Sequence, residues 1–262
     1  MGTFWIGGMK ITGKLKSNRR NRLVVVLRTD GAENGEVKIK KPPSDKMIEN
    51  MRRMKGCGVV VKALRLGFQD LLKLYTDAYF TARLIKLVST IYMLKPGNEG
   101  SKRFFNFSAH KALLATMRFS VKTTRVEALQ YHFNPSHSLD RKEATLLFNG
   151  FEVKWQAIPS QATHYRLFHH LCVISDYVYS EASGRFEPLG VKDSLCVIVY
   201  SRYLDMYVQF MEEIVVGLPS DVVLSEADSV IESVGIEFYY KSGRENYSHC
   251  YGGSGVKIVD VF

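Results

Sequence analysis

The first forty residues alternate apolar and polar side chains in short runs that are typical of strands. Residues 9–15 alternate, and residues 23–27 form an apolar run rich in β-branched side chains. Ser17-Asn18 lies between these runs and predicts a turn. The pattern therefore predicts a glycine-rich β-ribbon over residues 1–41.

A helical period begins after Pro42-Pro43. Ser44 is a good helix N-cap, because its hydroxyl oxygen can accept a hydrogen bond from the first turn. A methionine stripe follows at spacings of four and three residues: Met47, Met51 and Met54. Gly56 and Gly58 then predict that the helix weakens or breaks.

Two more helical stripes follow before Pro96-Gly97. The apolar positions of these stripes are Val61, Leu64, Phe68, Leu71 and Tyr75, then Phe80, Leu84, Val88 and Ile91. They predict two or three amphipathic helices over residues 44–95, within a helical segment 42–97. Such helices need another apolar surface against which to bury one face.

The remaining chain has the composition and turn signals of β-structure. The β-rich runs are residues 144–155, 165–179, 195–200, 230–240 and 256–262. Several strands without long helices between them favour an antiparallel sandwich of immunoglobulin-like character over residues 98–262. Residues 203–216 also allow a helix. The fold class predicted from the whole pattern is α+β.

The positive charge is concentrated near the start of the chain. Residues 1–65 hold 16 basic and 5 acidic side chains, whereas residues 66–262 hold 20 basic and 21 acidic ones. A basic arm on a neutral body is the electrostatic footprint expected for nucleic acid, an anionic membrane face or an acidic protein, although a solvated surface has the same composition. The candidate binding residues are Lys14, Lys16, Arg19, Arg20 and Arg22.

The sequence contains no motif that predicts catalysis or a cofactor. Residues 8–15 have the spacing of a phosphate-binding loop, but Leu15 stands where a hydroxyl should bind magnesium, so these glycines are interpreted as ribbon residues. His164 and His170 lie about 20 Å apart along a strand, too far for one metal ion. His169 is interpreted, like them, as a surface or hydrogen-bonded histidine. We expect no catalytic residue, metal or cofactor.

The cysteines and the chain start bear on the cellular compartment. Cys57, Cys172, Cys196 and Cys250 are widely spaced and are expected to be reduced, with a Cys172–Cys196 bridge left open for an exported protein. The first residues lack the pattern of a signal peptide, and no apolar window reaches the length of a membrane span. We expect a cytoplasmic or virion-associated protein.

The order of several segments resembles a family of uncharacterised proteins from Bacteroidetes and their phages. The segments that carry the resemblance are residues 49–51, 62–65, 68–72, 82–84, 162–165, Asp176 and residues 235–238, together with the glycine-rich start. The resemblance covers most of the chain and implies the architecture. It implies no activity.

Two functional hypotheses follow from these patterns. The first is a non-enzymatic structural or interaction protein that self-assembles, or binds another protein, through the N-terminal ribbon or the C-terminal strand. The alternative is a nucleic-acid-binding protein that uses the basic arm.

Overall fold

The chain forms two compact units, Met1–Arg52 and Arg53–Phe262, in a computed structural model. The structure describes residues 2–6, 9–17, 23–27, 36–39, 44–94, 104–120, 133–153, 158–191, 194–244, 246–250 and 254–262. Up to residue 39 the description covers the backbone alone.

The first unit contains short strands that pair in chain order. They are β1 (Gly2–Ile6), β2 (Met9–Ser17), β3 (Leu23–Leu27) and β4 (Glu36–Ile39). Each strand is antiparallel to the next, and Ser17 lies opposite Leu23 where β2 meets β3. Strands β2 and β3 coincide with the two runs predicted from the sequence, whereas Asn18 lies outside the described residues.

The helices come after these strands in the chain, and the first of them begins directly after Ser44, as predicted. They are α1 (Asp45–Gly67), α2 (Gln69–Tyr75), α3 (Phe80–Met93) and α4 (Lys111–Ala115), the last preceded by a short 3₁₀ turn at Ser108–His110. The backbone N–H of Met47 donates to Ser44 Oγ over 3.3 Å, and that of Ile48 donates to the Ser44 carbonyl over 2.9 Å. The predicted N-cap at Ser44 is confirmed.

The prediction that Gly56 and Gly58 break this helix is wrong, because α1 continues through both residues. A β-carbon at Gly56 would lie 2.6 Å from ring atoms of Phe186 and 2.8 Å from a ring atom of Phe105. Glycine therefore lets two aromatic rings pack directly on the helix backbone. This burial offsets the roughly 1 kcal/mol that glycine costs inside a helix.

The methionine stripe is helical, as predicted, but it is not part of the core. Met47, Met51 and Met54 are each between 50% and 55% exposed. The buried stripe of α1 begins one turn later and consists of Cys57, Val60, Val61 and Leu64.

The second unit is completed by short and long strands. They are β5 (Phe104–Phe105), β6 (Phe133–His137), β7 (Glu143–Phe148), β8 (His164–Ser175), β9 (Tyr177–Ser180), β10 (Arg185–Pro188), β11 (Cys196–Tyr200), β12 (Leu204–Asp205), β13 (Glu213–Gly217), β14 (Asp228–Lys241), β15 (Tyr247–His249) and β16 (Gly255–Val261). Every pairing among the described strands is antiparallel.

A central sheet runs through this unit in the order β11, β8, β14, β15. Strand β12 also pairs with β8, and β16 also pairs with β14. Strands β8 and β14 are paired along twelve residues, from Asp228 opposite Ser175 to Tyr239 opposite His164. Because side chains alternate along a strand, this register assigns every residue of the two strands to one of two faces.

One face of the central sheet is covered by the helices and the other by a second sheet. Phe168, Cys172 and Ile231 pack among the core residues of α1, α2, α3 and α4. Tyr165, Leu167 and other residues of the opposite face pack against Leu146, Phe148 and Ile214 of the outer sheet, whose strand order is β13, β7, β6. A small sheet of β10, β9 and β5 adds Phe105 and Phe186 to the helix-side core.

The architecture is a mixture of helices and antiparallel sheets, consistent with the predicted α+β class. The helix that the sequence allowed over residues 203–216 does not form, because β12 and β13 occupy the two ends of this segment. Ile214 and Val216 face the core while Glu213 and Val215 face solvent, so the segment follows the period of a strand. Among the described residues, no helix has both the length and the apolar character that crossing a membrane requires.

Candidate nucleic-acid interface

The two sides of the second unit carry opposite charge. The helical layer, which we define as described residues 53–94 and 104–120, has nine basic and two acidic side chains. The described residues from 133 onward, which form the sheets, have eight basic and fifteen acidic ones. Within residues 66–262, the described part of the helical layer holds five basic and two acidic side chains, so the near-neutral total of that range combines a basic helical part with acidic sheets.

A groove of about 510 Å³ runs along α1 and α3 in the helical layer. Its floor contains Val61, Leu72 and Ile85, while the exposed Lys62 and Arg65 line it. Arg65 Nη1 donates to Thr81 Oγ1 over 3.0 Å, which ties this guanidinium to the start of α3. The groove thus combines an apolar floor with cations whose charge is not offset by a neighbouring carboxylate among its described lining residues.

A second groove of about 340 Å³ lies between α3 and α4. Arg83 lines it and is held in place, because Nη1 binds Asp77 Oδ1 at 2.9 Å and Nη2 donates to the Phe119 carbonyl over 2.9 Å. Lys86 and Arg118 line the same groove and are exposed. Cations therefore border both grooves of the layer.

A buried carboxylate anchors a polar cluster where the helix-side face of the central sheet meets solvent. Glu237 accepts hydrogen bonds from Tyr75 Oη over 2.5 Å, from Arg166 Nη2 over 3.1 Å, and from Tyr239 Oη. Arg166 and Glu237 lie directly opposite each other on β8 and β14. All three partners donate, so an acceptor-only carboxylate fits this position.

Tyrosine rings surround the guanidinium of Arg166. The guanidinium carbon lies 3.8 Å from the ring centre of Tyr200 and 5.0 Å from that of Tyr203. Tyr203 stacks on Tyr247 with centres 4.0 Å apart and planes 5° from parallel. We call Arg166, Glu237, Tyr200, Tyr203, Tyr239 and Tyr247 the tyrosine cluster. Tyr200 remains 37% exposed, so part of the cluster reaches solvent.

Burial and the carboxylate set the protonation states in the cluster. Burial raises the pKa of Tyr75, Tyr200 and Tyr239, and the negative charge of Glu237 raises these pKa values further. Burial acts to lower the pKa of Arg166, but Tyr239 and Glu237 outweigh it and raise that pKa. The phenols stay neutral and the guanidinium charged, an arrangement suited to stacking and hydrogen bonding.

A different network occupies the opposite face of the same strand. Glu232 Oε1 lies 2.7 Å from His169 Nε2, and Glu232 Oε2 lies 2.8 Å from His137 Nε2. His169 Nδ1 lies 2.9 Å from the Ile214 carbonyl, which only accepts, so Nδ1 carries a proton. The ring of Phe262 stacks on His137 with centres 3.8 Å apart and shields this network.

The structure separates the three neighbouring histidines. His169 faces the outer sheet, whereas His170 faces the helices, where Nε2 lies 3.1 Å from the Gly67 carbonyl. Burial lowers the pKa of His170 to about 4. His164 lies at the sheet end, 5.1 Å from the ring of Tyr247. The interpretation of these residues as surface or hydrogen-bonded histidines is confirmed, because each forms a hydrogen bond, and His169 and His170 do so while buried.

The basic arm lies largely beyond what the structure describes. Lys14 and Lys16 belong to β2, opposite Val26 and Val24 of β3. Arg19, Arg20 and Arg22 lie outside the described residues. The phosphate-loop spacing coincides with strand β2 from Met9 onward, whereas Gly8 is also outside the described residues.

All four cysteines are free thiols. Cys172 and Cys196 lie directly opposite each other on β8 and β11, as the hypothesis of a bridge requires. Burial raises the pKa of both thiols, so the reactive thiolate form is disfavoured. Among the described residues, no group of three or more His, Cys, Asp or Glu side chains is placed to hold a metal ion.

The sequence interpretation missed the tyrosine cluster and the charge division. The cluster joins residues from β8, β11, β14 and β15 that no local motif connects. The charge division was accessible by counting charge separately over the helical and strand-rich segments. Comparisons with protein-family models, with curated proteins and with solved structures find no match for this chain.

Proposed function

We propose that this chain is a non-enzymatic protein that binds single-stranded nucleic acid on its helix side. The observation that carries the proposal is the helical layer, which has nine basic and two acidic side chains and cations along both grooves. Such a surface neutralises phosphates and releases their counterions. The acidic sheets would repel the same polyanion and so restrict it to one side of the unit.

The tyrosine cluster supplies the second element that single-strand binding needs. Aromatic side chains beside a cationic groove stack on unpaired bases, and each stacked base contributes about 1–3 kcal/mol. Tyr200 is 37% exposed, and its ring lies over Arg166 at 3.8 Å. Because Glu237 and the hydroxyl of Tyr239 both accept from the guanidinium, the ring is already positioned before a ligand binds.

The N-terminal segment is assigned to the same function. We propose a basic ribbon over residues 1–41 in which Lys14, Lys16, Arg19, Arg20 and Arg22 contact phosphates. The antiparallel pairing of β2 with β3 supports the ribbon. We also propose an immunoglobulin-like character for the two packed sheets, supported by their antiparallel strands and their shared core.

The proposal is tested by titrating a fluorescein-labelled oligothymidine of about 20 nucleotides at roughly 50 mM and 200 mM salt. We expect affinity to fall steeply with salt. The variant Lys62→Gln/Arg65→Gln should weaken binding at least about tenfold and reduce the salt slope by about 1.4, or 0.7 per phosphate contact. Replacing all five arm residues with glutamine should weaken it further.

A matched control removes the same charge from the sheet side. In the variant Lys142→Gln/Arg202→Gln, both replaced residues come from the acidic part, and the affinity should change by less than about twofold. Tyr200→Ala should reduce affinity roughly tenfold, whereas Tyr207→Ala, which removes a 95% exposed tyrosine elsewhere, should not. A salt-independent titration, or equal losses in the helix-side and control variants, would contradict the proposal.

A further inference from the structure

The solvent-facing side of the outer sheet combines acidic and apolar side chains. Glu143, Thr145 and Leu147 of β7 alternate outward, and Glu213 and Val215 of β13 do the same. Leu147 is 43% and Val215 is 39% exposed. In the register of the sheet, Leu147 lies opposite Glu213 and Val215 lies opposite Thr145. This surface has exposed apolar side chains bordered by carboxylates.

The cations nearest to this surface along the chain are already engaged within the unit. Arg141 Nη1 donates to the Asp228 carbonyl over 2.7 Å, and its Nη2 donates to the Ser225 carbonyl over 2.6 Å. Lys142 Nζ donates to the Ser220 carbonyl over 3.1 Å. These contacts hold both cations to backbone carbonyls, and among the described residues neither Glu143 nor Glu213 forms an ion pair with them.

The groove along α1 and α3 has the complementary chemistry. It presents the apolar Leu66, Leu72 and Ile85 together with Lys62 and Arg65. Leu66 is 49% exposed, so apolar surface is open here as well. An apolar and basic groove matches an apolar and acidic sheet, and both belong to the same chain.

We propose that the outer sheet of one copy docks into the groove between α1 and α3 of a second copy. Two outer sheets facing each other would bring Glu143 and Glu213 against their own counterparts, which like-charge repulsion disfavours. The contact is therefore heterologous, with one surface from each copy, and its repetition builds a ring or an open chain. It uses neither the N-terminal ribbon nor β16, which pairs with β14 of its own sheet.

The test measures molar mass by light scattering, with the full chain freed of nucleic acid, at about 100 µM and at roughly 50 mM and 500 mM salt. We expect association at low salt that decreases at high salt. The variants Glu143→Lys/Glu213→Lys and Lys62→Glu/Arg65→Glu should each be monomeric. A monomeric wild-type chain at low salt would overturn the inference.

Mixing the two monomeric variants provides the decisive measurement. The sheet variant keeps an intact groove and the groove variant keeps an intact sheet, so the mixture should associate although neither component does. Absence of association in the mixture would overturn the heterologous contact. At protein concentrations too low for the wild-type chain to associate, the sheet variant should bind the oligonucleotide with wild-type affinity, which separates this inference from the proposed function.

Discussion

Two glutamates of β14 lie on opposite faces of the central sheet and have different kinds of hydrogen-bond partner. Glu237, on the helix side, receives hydrogen bonds from two phenols and from a guanidinium, which is always charged and can only donate. Glu232, on the outer-sheet side, contacts two imidazoles, each of which can donate or accept. The first network requires a negative charge, whereas the second requires only hydrogen bonds.

The difference corresponds to the surroundings of each network. Glu237 belongs to a cluster that includes the exposed Tyr200 and lies on the same side as the basic helical layer. Glu232 is fully buried, and Phe262 stacks on His137 beside it. A buried charge that positions an exposed aromatic surface favours a role in binding, whereas the Glu232 network, which links β6, β8 and β14, favours a role in joining the two sheets.

The largest expected effect is therefore at Glu237. Glu237→Gln replaces a carboxylate oxygen that accepts hydrogen bonds with an amide N–H, and it leaves Arg166, which can only donate, without its counter-ion. We expect a loss of about 3 kcal/mol in the free energy of unfolding, measured by urea denaturation. Combining it with Arg166→Met removes the unpaired cation and should recover part of that loss. A double variant less stable than the single variant would contradict this account of the cluster.

The second prediction concerns pH and the helix-side face. Burial lowers the pKa of His170 from 6.5 to about 4, so the unfolded state binds a proton more readily than the folded state between these values. Stability should accordingly fall as pH decreases through this range, with about 3 kcal/mol attributable to His170. Urea denaturation at several pH values would measure the slope.

His170→Gln isolates this contribution because the amide can still donate to the Gly67 carbonyl. The variant should be less sensitive to pH between 6.5 and 4 than the wild-type chain. An unchanged slope in His170→Gln would refute the assignment.

These networks also show what sequence patterns can predict here. A helix could be predicted from Ser44 and from the apolar stripe at Val61 and Leu64, because capping and the 3.6-residue period are local properties. The positions of Glu232 and Glu237 could not be predicted from such local signals. In an alternating strand, a glutamate is expected to be exposed to solvent. Their burial depends on layers formed by distant segments, which local alternation does not encode.

The charge division could be predicted in part. Once helices are assigned before residue 95 and strands after residue 143, counting charge by segment separates a basic region from an acidic one. The tyrosine cluster could not be predicted in this way, because Tyr200 and Tyr247 meet Arg166 through the order of four strands. Strand order is a long-range property that spacing along the chain does not determine.

The smallest expected effect is at Glu232. The glutamine side chain that disrupts the network around Glu237 should fit the network around Glu232. In Glu232→Gln, the amide N–H can donate to the unprotonated Nε2 of His169, and the amide oxygen can accept from His137. We expect a loss of about 1 kcal/mol or less by urea denaturation, and unchanged oligonucleotide affinity. Glu232→Leu, which removes both hydrogen bonds from buried imidazoles, should cost about 2–3 kcal/mol. Equal losses for Glu232→Gln and Glu237→Gln would mean that both networks depend on a carboxylate charge, and the contrast drawn between the two networks would no longer hold.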